Sequence, residues 1–75
     1  MENLAINFKR IRRWYGMTIP AFARKLDIAP NSLAGYEGGF HYPSIPVVIK
    51  LSKVSGFTLD ELVFTKVGGG LRVKN

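Results

Sequence analysis

Few residues in this chain could catalyse a reaction, and none of them is placed to do so. The 75 residues include one histidine and no cysteine, so His41 lacks a thiolate partner for a metal site or a nucleophile–base pair. Asp60 and Glu61 are adjacent carboxylates, but the first turn of a helix favours acids because of its dipole. Gly68–Gly70 lacks the Lys and Ser/Thr that follow the glycines of a phosphate-binding loop. We therefore expect no enzyme activity, no cofactor and no metal.

Positive charge indicates the kind of partner. Eleven Lys and Arg against five Asp and Glu give a net charge of +6 and a pI near 10.1, a balance that favours a polyanion. Four of the cations fall within five residues of one predicted helix: Lys9, Arg10, Arg12 and Arg13. Such a run is often only a solvated helix face, so its meaning depends on the surrounding elements.

No apolar run approaches the roughly 20 residues that span a bilayer. Glu2 and Asn3 do not resemble the basic start of a signal peptide. The lack of cysteine also fits a reducing compartment, so we expect a cytoplasmic protein with no membrane partner.

Two short helices joined by a tight turn are predicted in the first half of the chain. Thr18 is a good N-cap and Pro20 is tolerated in the first turn, and apolar residues at helical spacing extend this helix to about Lys25. A second helix begins at Pro30, and the pair Gly38–Gly39 ends it. Because only a few residues connect these helices, they must cross at a steep angle.

Three further helices complete an all-α arrangement. The first covers about Asn3 to Tyr15. Ser44 is predicted to cap the next, which ends at Gly56. Thr58 and Glu61 form a capping box that begins the last. The expected core residues of these helices are Leu4, Phe8, Ile11, Tyr15, Ile45, Val48, Ile49, Leu51, Val54, Leu59, Leu62 and Val63, with Trp14 and Phe40 at the core edge.

The order and spacing of these segments resemble the lambda-repressor and Cro-like helix-turn-helix family, also called the XRE family. The similarity covers Leu4 to Phe64. The residues that carry it are Phe8-Lys9-Arg10-Ile11-Arg12, Gly16-Met17-Thr18, Phe22-Ala23, Leu26, Ile28, Leu33, Tyr36-Glu37, Gly39, Pro43-Ser44 and Gly56-Phe57-Thr58-Leu59-Asp60-Glu61-Leu62.

The resemblance implies a compact five-helix DNA-binding domain over residues 1–64, followed by a short C-terminal tail over residues 65–75. Its implied function is sequence-specific binding of double-stranded DNA as a transcriptional regulator of the Cro or repressor type. It further implies a homodimer on a pseudo-palindromic site, a bacterial or phage origin and association with the nucleoid. No small-molecule substrate is evident.

The resemblance also implies which residues contact DNA. The helix that begins at Pro30 would enter the major groove while the preceding helix lies across the backbone. The expected base-contacting residues are Pro30, Asn31, Ser32 and Gly35. Asn31 could pair with adenine and Ser32 with several bases, and Gly35 would allow close approach; for Asn31 the alternative is an ordinary helix-start residue. Phosphate contacts are expected from Thr18, the backbone of Ile19, Lys9, Arg10, Arg13, His41 and Tyr42. Arg12 corresponds to a family arginine that often packs against the domain.

Several departures from the family pattern favour a second hypothesis. Ile19 stands where a phosphate-binding glutamine is common, Ala29 stands where a capping serine is common, and no arginine lies on the predicted groove-facing surface. The alternative is therefore a helix-turn-helix scaffold used as a protein-interaction module, such as an antirepressor or an accessory subunit. Strongly salt-dependent binding to duplex DNA would distinguish the two, because counterion release accompanies phosphate contacts.

The tail has two possible roles. Leu71-Arg72-Val73-Lys74 alternates with period two, so it could form an edge strand that pairs with a second subunit. Otherwise the tail is expected to be mobile, with Lys66, Arg72 and Lys74 available to phosphates. A dimer could thus use either the tail or the last helix around Leu62 and Phe64.

Overall fold

The computed structural model describes residues 2–73 of the protein, which form five α-helices and no strand. These are α1 (Glu2–Trp14), α2 (Ile19–Leu26), α3 (Pro30–Glu37), α4 (Ile45–Ser55) and α5 (Leu59–Phe64). The five-helix, all-α prediction is confirmed, with each helix beginning and ending within about two residues of the expected position. Lys74, expected to be available to phosphates, lies outside the described residues.

Local capping signals fix most of the helix boundaries. The Thr18 hydroxyl accepts from the N–H of Ala21 at 3.3 Å and begins α2. The capping box of α5 is present, with Thr58 Oγ1 accepting from the N–H of Glu61 at 3.1 Å and Glu61 Oε1 accepting from the N–H of Thr58 at 3.0 Å. Gly16 and Gly56, at φ 67° and 81°, follow the ends of α1 and α4. These features are local, which is why the sequence predicts them.

The predicted side-chain cap at Ser44 is wrong. Ser44 precedes α4, but its hydroxyl accepts no capping hydrogen bond. A capping hydroxyl bonds the second or third N–H of a helix. Here the second residue is Pro46, which has none, and the N–H of Val47 bonds the Ser44 carbonyl at 3.1 Å instead.

One hydrophobic core unites the helices. Its buried members are Leu4, Phe8, Ile11, Phe22, Ala23, Leu26, Leu33, Val47, Val48, Leu51, Phe57, Leu62 and Val67. Trp14 packs at the core edge, with its ring centroid 6.1 Å from that of Phe57, as predicted.

Four residues expected in the core or at its edge are exposed. Ile45 is 70% exposed, and Ile49 and Leu59 are also exposed. The first five residues of α4, 45–49, are all apolar, so periodicity could not show that Val47 would be buried in place of Ile45. Phe40 is 82% exposed, because the loop directs it outward over Gly38.

Asn7 holds the start of the tail against α1 and α5. Its buried amide donates to the carbonyls of Leu62 and Thr65 at 2.8 and 2.7 Å and accepts from the N–H of Val67 at 2.9 Å. Val67 is buried as a result. The sequence feature that could have indicated this role is the position of Asn7, three residues after Leu4 and four before Ile11, which places a polar residue on the apolar stripe of α1.

The rest of the described tail also lies against its own domain. The N–H of Arg72 donates to Ser55 O at 2.7 Å, and its guanidinium lies 4.5 Å from the centroid of the Phe57 ring and 2.5 Å from Glu61 Oε2. Leu71 packs partly buried against the core. These contacts come from residues 11 or more positions away in sequence, so no local pattern indicates them.

Candidate nucleic-acid interface

Helices α2 and α3 form a helix-turn-helix whose inner faces are fully buried. Leu26 on α2 and Leu33 on α3 belong to the same core. The connection is made by residues 27–29, with Asp27 in the left-handed conformation at φ 56° and the N–H of Ile28 bonded to Ala23 O at 2.9 Å. Because this turn ends α2 at Asp27 and leaves only residues 27–29 before α3, it sets the orientation of α3 relative to α2.

A bidentate ion pair fixes the far end of α3. Arg12 Nε and Nη2 donate to Glu37 Oε2 and Oε1 at 2.8 and 3.0 Å, and Nη1 donates to Met17 O at 3.0 Å. Both charged side chains are largely buried. The guanidinium therefore joins α1, the loop before α2, and α3, which confirms a structural role for Arg12.

Part of the face of α3 opposite its core contacts is open to solvent. Leu33 is buried, and the Tyr36 ring centroid lies 5.5 Å from that of Phe8. At about 100° per residue, Asn31 and Gly35 lie on the opposite side of the helix. Asn31 is exposed, so its amide is accessible to a ligand.

The other two predicted base-contacting residues are placed less favourably. Pro30 is exposed at the first position of α3, whereas Ser32 is partly buried. Ala29 precedes α3 without a side-chain cap. The face available for base contacts is thus centred on Asn31.

Gly35 is buried although it lies on the outward face of α3. The side chain that covers it belongs to His41: a Cβ atom added to Gly35 would overlap with the imidazole Cδ2. The expected open approach to Gly35 is therefore wrong, because the loop after α3 folds back over it. No local pattern indicates this contact, which depends on the path of that loop.

The predicted phosphate-contacting residues fall into two groups. Those that are exposed are Lys9, Arg10, Arg13, Thr18, His41 and Tyr42. Ile19 is partly buried against the core and offers only its backbone. Arg10 donates from Nη1 to Val67 O at 2.8 Å, so its guanidinium points towards the tail, whereas Arg12, two residues on, faces α3. One of its guanidinium nitrogens is thus used within the domain, and the phosphate role of Arg10 stays a prediction.

Ion pairing compensates only part of the positive charge of α1. Glu37 is paired with Arg12, and Glu61 with Arg72. Among residues 2–73, neither Lys9 nor Arg13 takes part in an ion pair. The backbone N–H of Thr58 holds the pKa of Glu61 below its ordinary value, with Arg72 contributing further and burial opposing. Glu61 is therefore a structural acid of α5.

Comparison with known proteins gives the class of this domain. The sequence model of the helix-turn-helix family matches residues 8–62, which span α2 and α3 and most of the core. The chain belongs to this helix-turn-helix family, of the lambda-repressor and Cro-like (XRE) type, whose members are DNA-binding regulators. No match was found among the curated proteins or among the solved structures. None of the described helices is long and apolar enough to cross a membrane.

Proposed function

We propose that this protein binds a specific sequence in double-stranded DNA and regulates transcription as a Cro or repressor-type homodimer. The observation that carries the proposal is the outward face of α3, where Asn31 is exposed on a helix fixed at its far end by Arg12 and Glu37. A rigidly held helix with a free amide suits major-groove contacts, since such contacts require defined geometry.

Phosphate contacts would position α3 in the groove. The hydroxyl of Thr18 and the cations Lys9 and Arg13 are exposed and are our candidates. His41 and Tyr42, on the loop after α3, were predicted to join them. The +6 charge of the chain supports association with DNA in general.

Salt-dependent binding to duplex DNA tests the function. Duplexes selected from a random pool would be titrated with the protein at several salt concentrations. We expect log K to fall linearly with log salt, with a slope of about −0.9 for each phosphate contact. A preferred sequence with two inverted half-sites about 34 Å apart would support a dimer.

A second candidate function is supported by exposed aromatics. Phe40 and Tyr42, 82% and 72% exposed, are close neighbours in the loop after α3, and large exposed apolar patches often mark protein interfaces. A protein-interaction module would bind DNA weakly and without sequence preference. Failure of the random pool to yield a preferred duplex would favour this candidate.

The dimer interface is proposed to lie at α5. Leu62 and Val67 are buried in their own domain, and Leu71 of the tail packs partly buried against the same core. Phe64 is 74% exposed at the end of α5, which makes it the available apolar anchor. Phe64→Ser should shift the mass measured by sedimentation from dimer to monomer, whereas an unchanged dimer would place the interface elsewhere.

A further inference from the structure

We propose that His41 is a specificity-determining residue whose imidazole contacts a purine edge in the major groove, in the place that a side chain at position 35 would occupy. The proposal rests on the proposed DNA-binding function and changes the role expected for His41 from phosphate to base contact. The side chain that distinguishes one base from another would then belong to the loop after α3 and not to α3 itself.

The first observation is the position of Gly35. It lies one helical turn after Asn31, and both lie opposite Leu33, which faces the core. A residue with a side chain at position 35 would therefore project from the same face as the Asn31 amide. Glycine leaves that volume free for another group.

The imidazole of His41 fills this volume. A Cβ atom on Gly35 would overlap with Cδ2 of His41 and would lie 3.2 Å from both Cγ and Nε2. Gly35 is buried while Asn31, Ala34 and Gly38 on the same side of α3 are exposed. The histidine ring thus lies directly on the helix surface that carries Asn31.

Backbone hydrogen bonds hold the loop in this position. Gly35 O accepts from the N–H of Phe40 at 2.9 Å and from the N–H of His41 at 3.3 Å. Gly39, at φ 76°, allows the chain to reverse. The ring of His41 is consequently carried by α3 itself and would move into the groove with it.

The chemistry of the ring suits a purine. His41 is exposed, and the hydrogen bond that it makes with another described residue comes from its backbone N–H, so no described residue occupies its ring nitrogens. An imidazole N–H can donate to N7 of a purine or O6 of guanine, which are major-groove acceptors. The outward face of α3 carries no arginine, so His41 supplies a donor for guanine that α3 itself lacks.

Its distance from Asn31 predicts which base pair it contacts. One helical turn advances about 5.4 Å along α3, and successive bases are about 3.4 Å apart. We therefore expect the base contacted by His41 to lie one or two pairs from the base contacted by Asn31.

Two variants test the inference from opposite sides. His41→Ala removes the ring, and Gly35→Ala displaces it by adding the Cβ. Gly35 has an ordinary helical φ, and alanine is the better helix former, so the second variant should fold. The displaced ring has room to move, because His41 borders an open cleft between α1 and the loop after α3. Gly68→Ala is the matched control, since a Cβ there meets nothing within 4 Å.

Each protein would be used to select duplexes from a random pool, and its affinity for single-base variants of the wild-type site would be measured. At one purine position, we expect both His41→Ala and Gly35→Ala to lose about tenfold or more in discrimination, within the range of a good base contact. The double variant should lose no more than either single variant, and Gly68→Ala should behave as wild type.

Other outcomes contradict the inference in different ways. An equal loss on all sequences with a smaller salt slope would make His41 a phosphate contact. If a folded His41→Ala protein selects the same duplexes as the wild type, the ring covers Gly35 but does not contact a base. If the wild-type protein selects no preferred sequence, the proposed function itself fails, which is a distinct result.

Discussion

Asn7 and Asn31 show how placement decides what an amide side chain does. Asn7 is fully buried and uses both its N–H₂ group and its carbonyl within the domain. Asn31 is exposed on the outward face of α3. One amide therefore stabilises the fold, and the other is available for DNA.

Replacing Asn31 should affect specific binding only. We expect Asn31→Ala to weaken binding to the selected site by about 1–3 kcal/mol and to leave nonspecific duplex binding nearly unchanged. The measurement is a pair of titrations, one with the selected duplex and one with a scrambled duplex at the same salt concentration. Equal losses of affinity for the selected and the scrambled duplex would show that Asn31 does not contact a base.

Asn7→Ala should instead destabilise the fold. Buried polar groups left without partners cost about 1–3 kcal/mol, and this change removes the partner of the Leu62 carbonyl and the Val67 N–H. Urea denaturation would measure the loss. Asn3→Ala on the same helix is the control, because Asn3 is only partly buried. Similar losses for both variants would show that the amide network contributes little.

At the scale of elements, α5 is short and depends on its capping box. Its six residues are too few to be stable alone. Glu61 satisfies the N–H of Thr58 and pairs with Arg72 of the tail. One carboxylate therefore joins the start of α5 to the chain that follows it.

The lowered pKa of Glu61 predicts acid sensitivity. Because this pKa is lower in the folded state than in the unfolded state, the contribution of Glu61 to stability is fully present above the ordinary glutamate pKa. It is lost as the pH falls from there through the folded-state pKa. Chemical denaturation across this acid range should show a shallower fall for Glu61→Gln, which keeps a capping oxygen but no charge.

Asp60→Asn is the control for this experiment, since Asp60 is adjacent and exposed. The acid-dependent loss of stability should persist in that variant. If the stability of Glu61→Gln falls with decreasing pH as steeply as that of the wild type, other groups cause the acid sensitivity.

For the whole molecule, two arginines of α1 are expected to differ in their effect on DNA binding. Both are exposed and neither forms an ion pair among the described residues, but Arg10 donates a hydrogen bond to Val67 O. Arg13→Gln should reduce the slope of log K against log salt by about 1, as expected for one lost phosphate contact. Arg10→Gln should change this slope less and lower the melting temperature. If the two variants show the same slope of log K against log salt, Arg13 does not contribute more to phosphate binding than Arg10.

Removing residues 68–75 tests how the tail contributes. The deletion removes the hydrogen bond from Arg72 to Ser55 O and the contact of its guanidinium with Phe57. We expect the free energy of unfolding to fall by about 1–2 kcal/mol. Sedimentation should show an unchanged oligomeric state. Conversion of a dimer to a monomer would instead support pairing of the tails.

The sequence by itself determined the five helices and the family. Helix caps, glycines at helix ends and apolar periodicity act over a few residues, so Thr18, Gly56 and the Thr58–Glu61 box were predictable in position and role. The approximate location of the candidate DNA-binding helix followed from the same signals.

The tertiary structure alone decided three features: the Asn7 network, the tail packed on its own domain and the His41 ring over Gly35. The Asn7 network joins residues more than 50 positions apart, and Arg72 of the tail reaches back across α5 to Ser55. The position of the His41 ring depends on a loop without periodicity. The buried side of the first turn of α4 was also undetermined, because residues 45–49 are all apolar. Local patterns specify which segments are helical, but long-range packing decides which side chains remain free to bind.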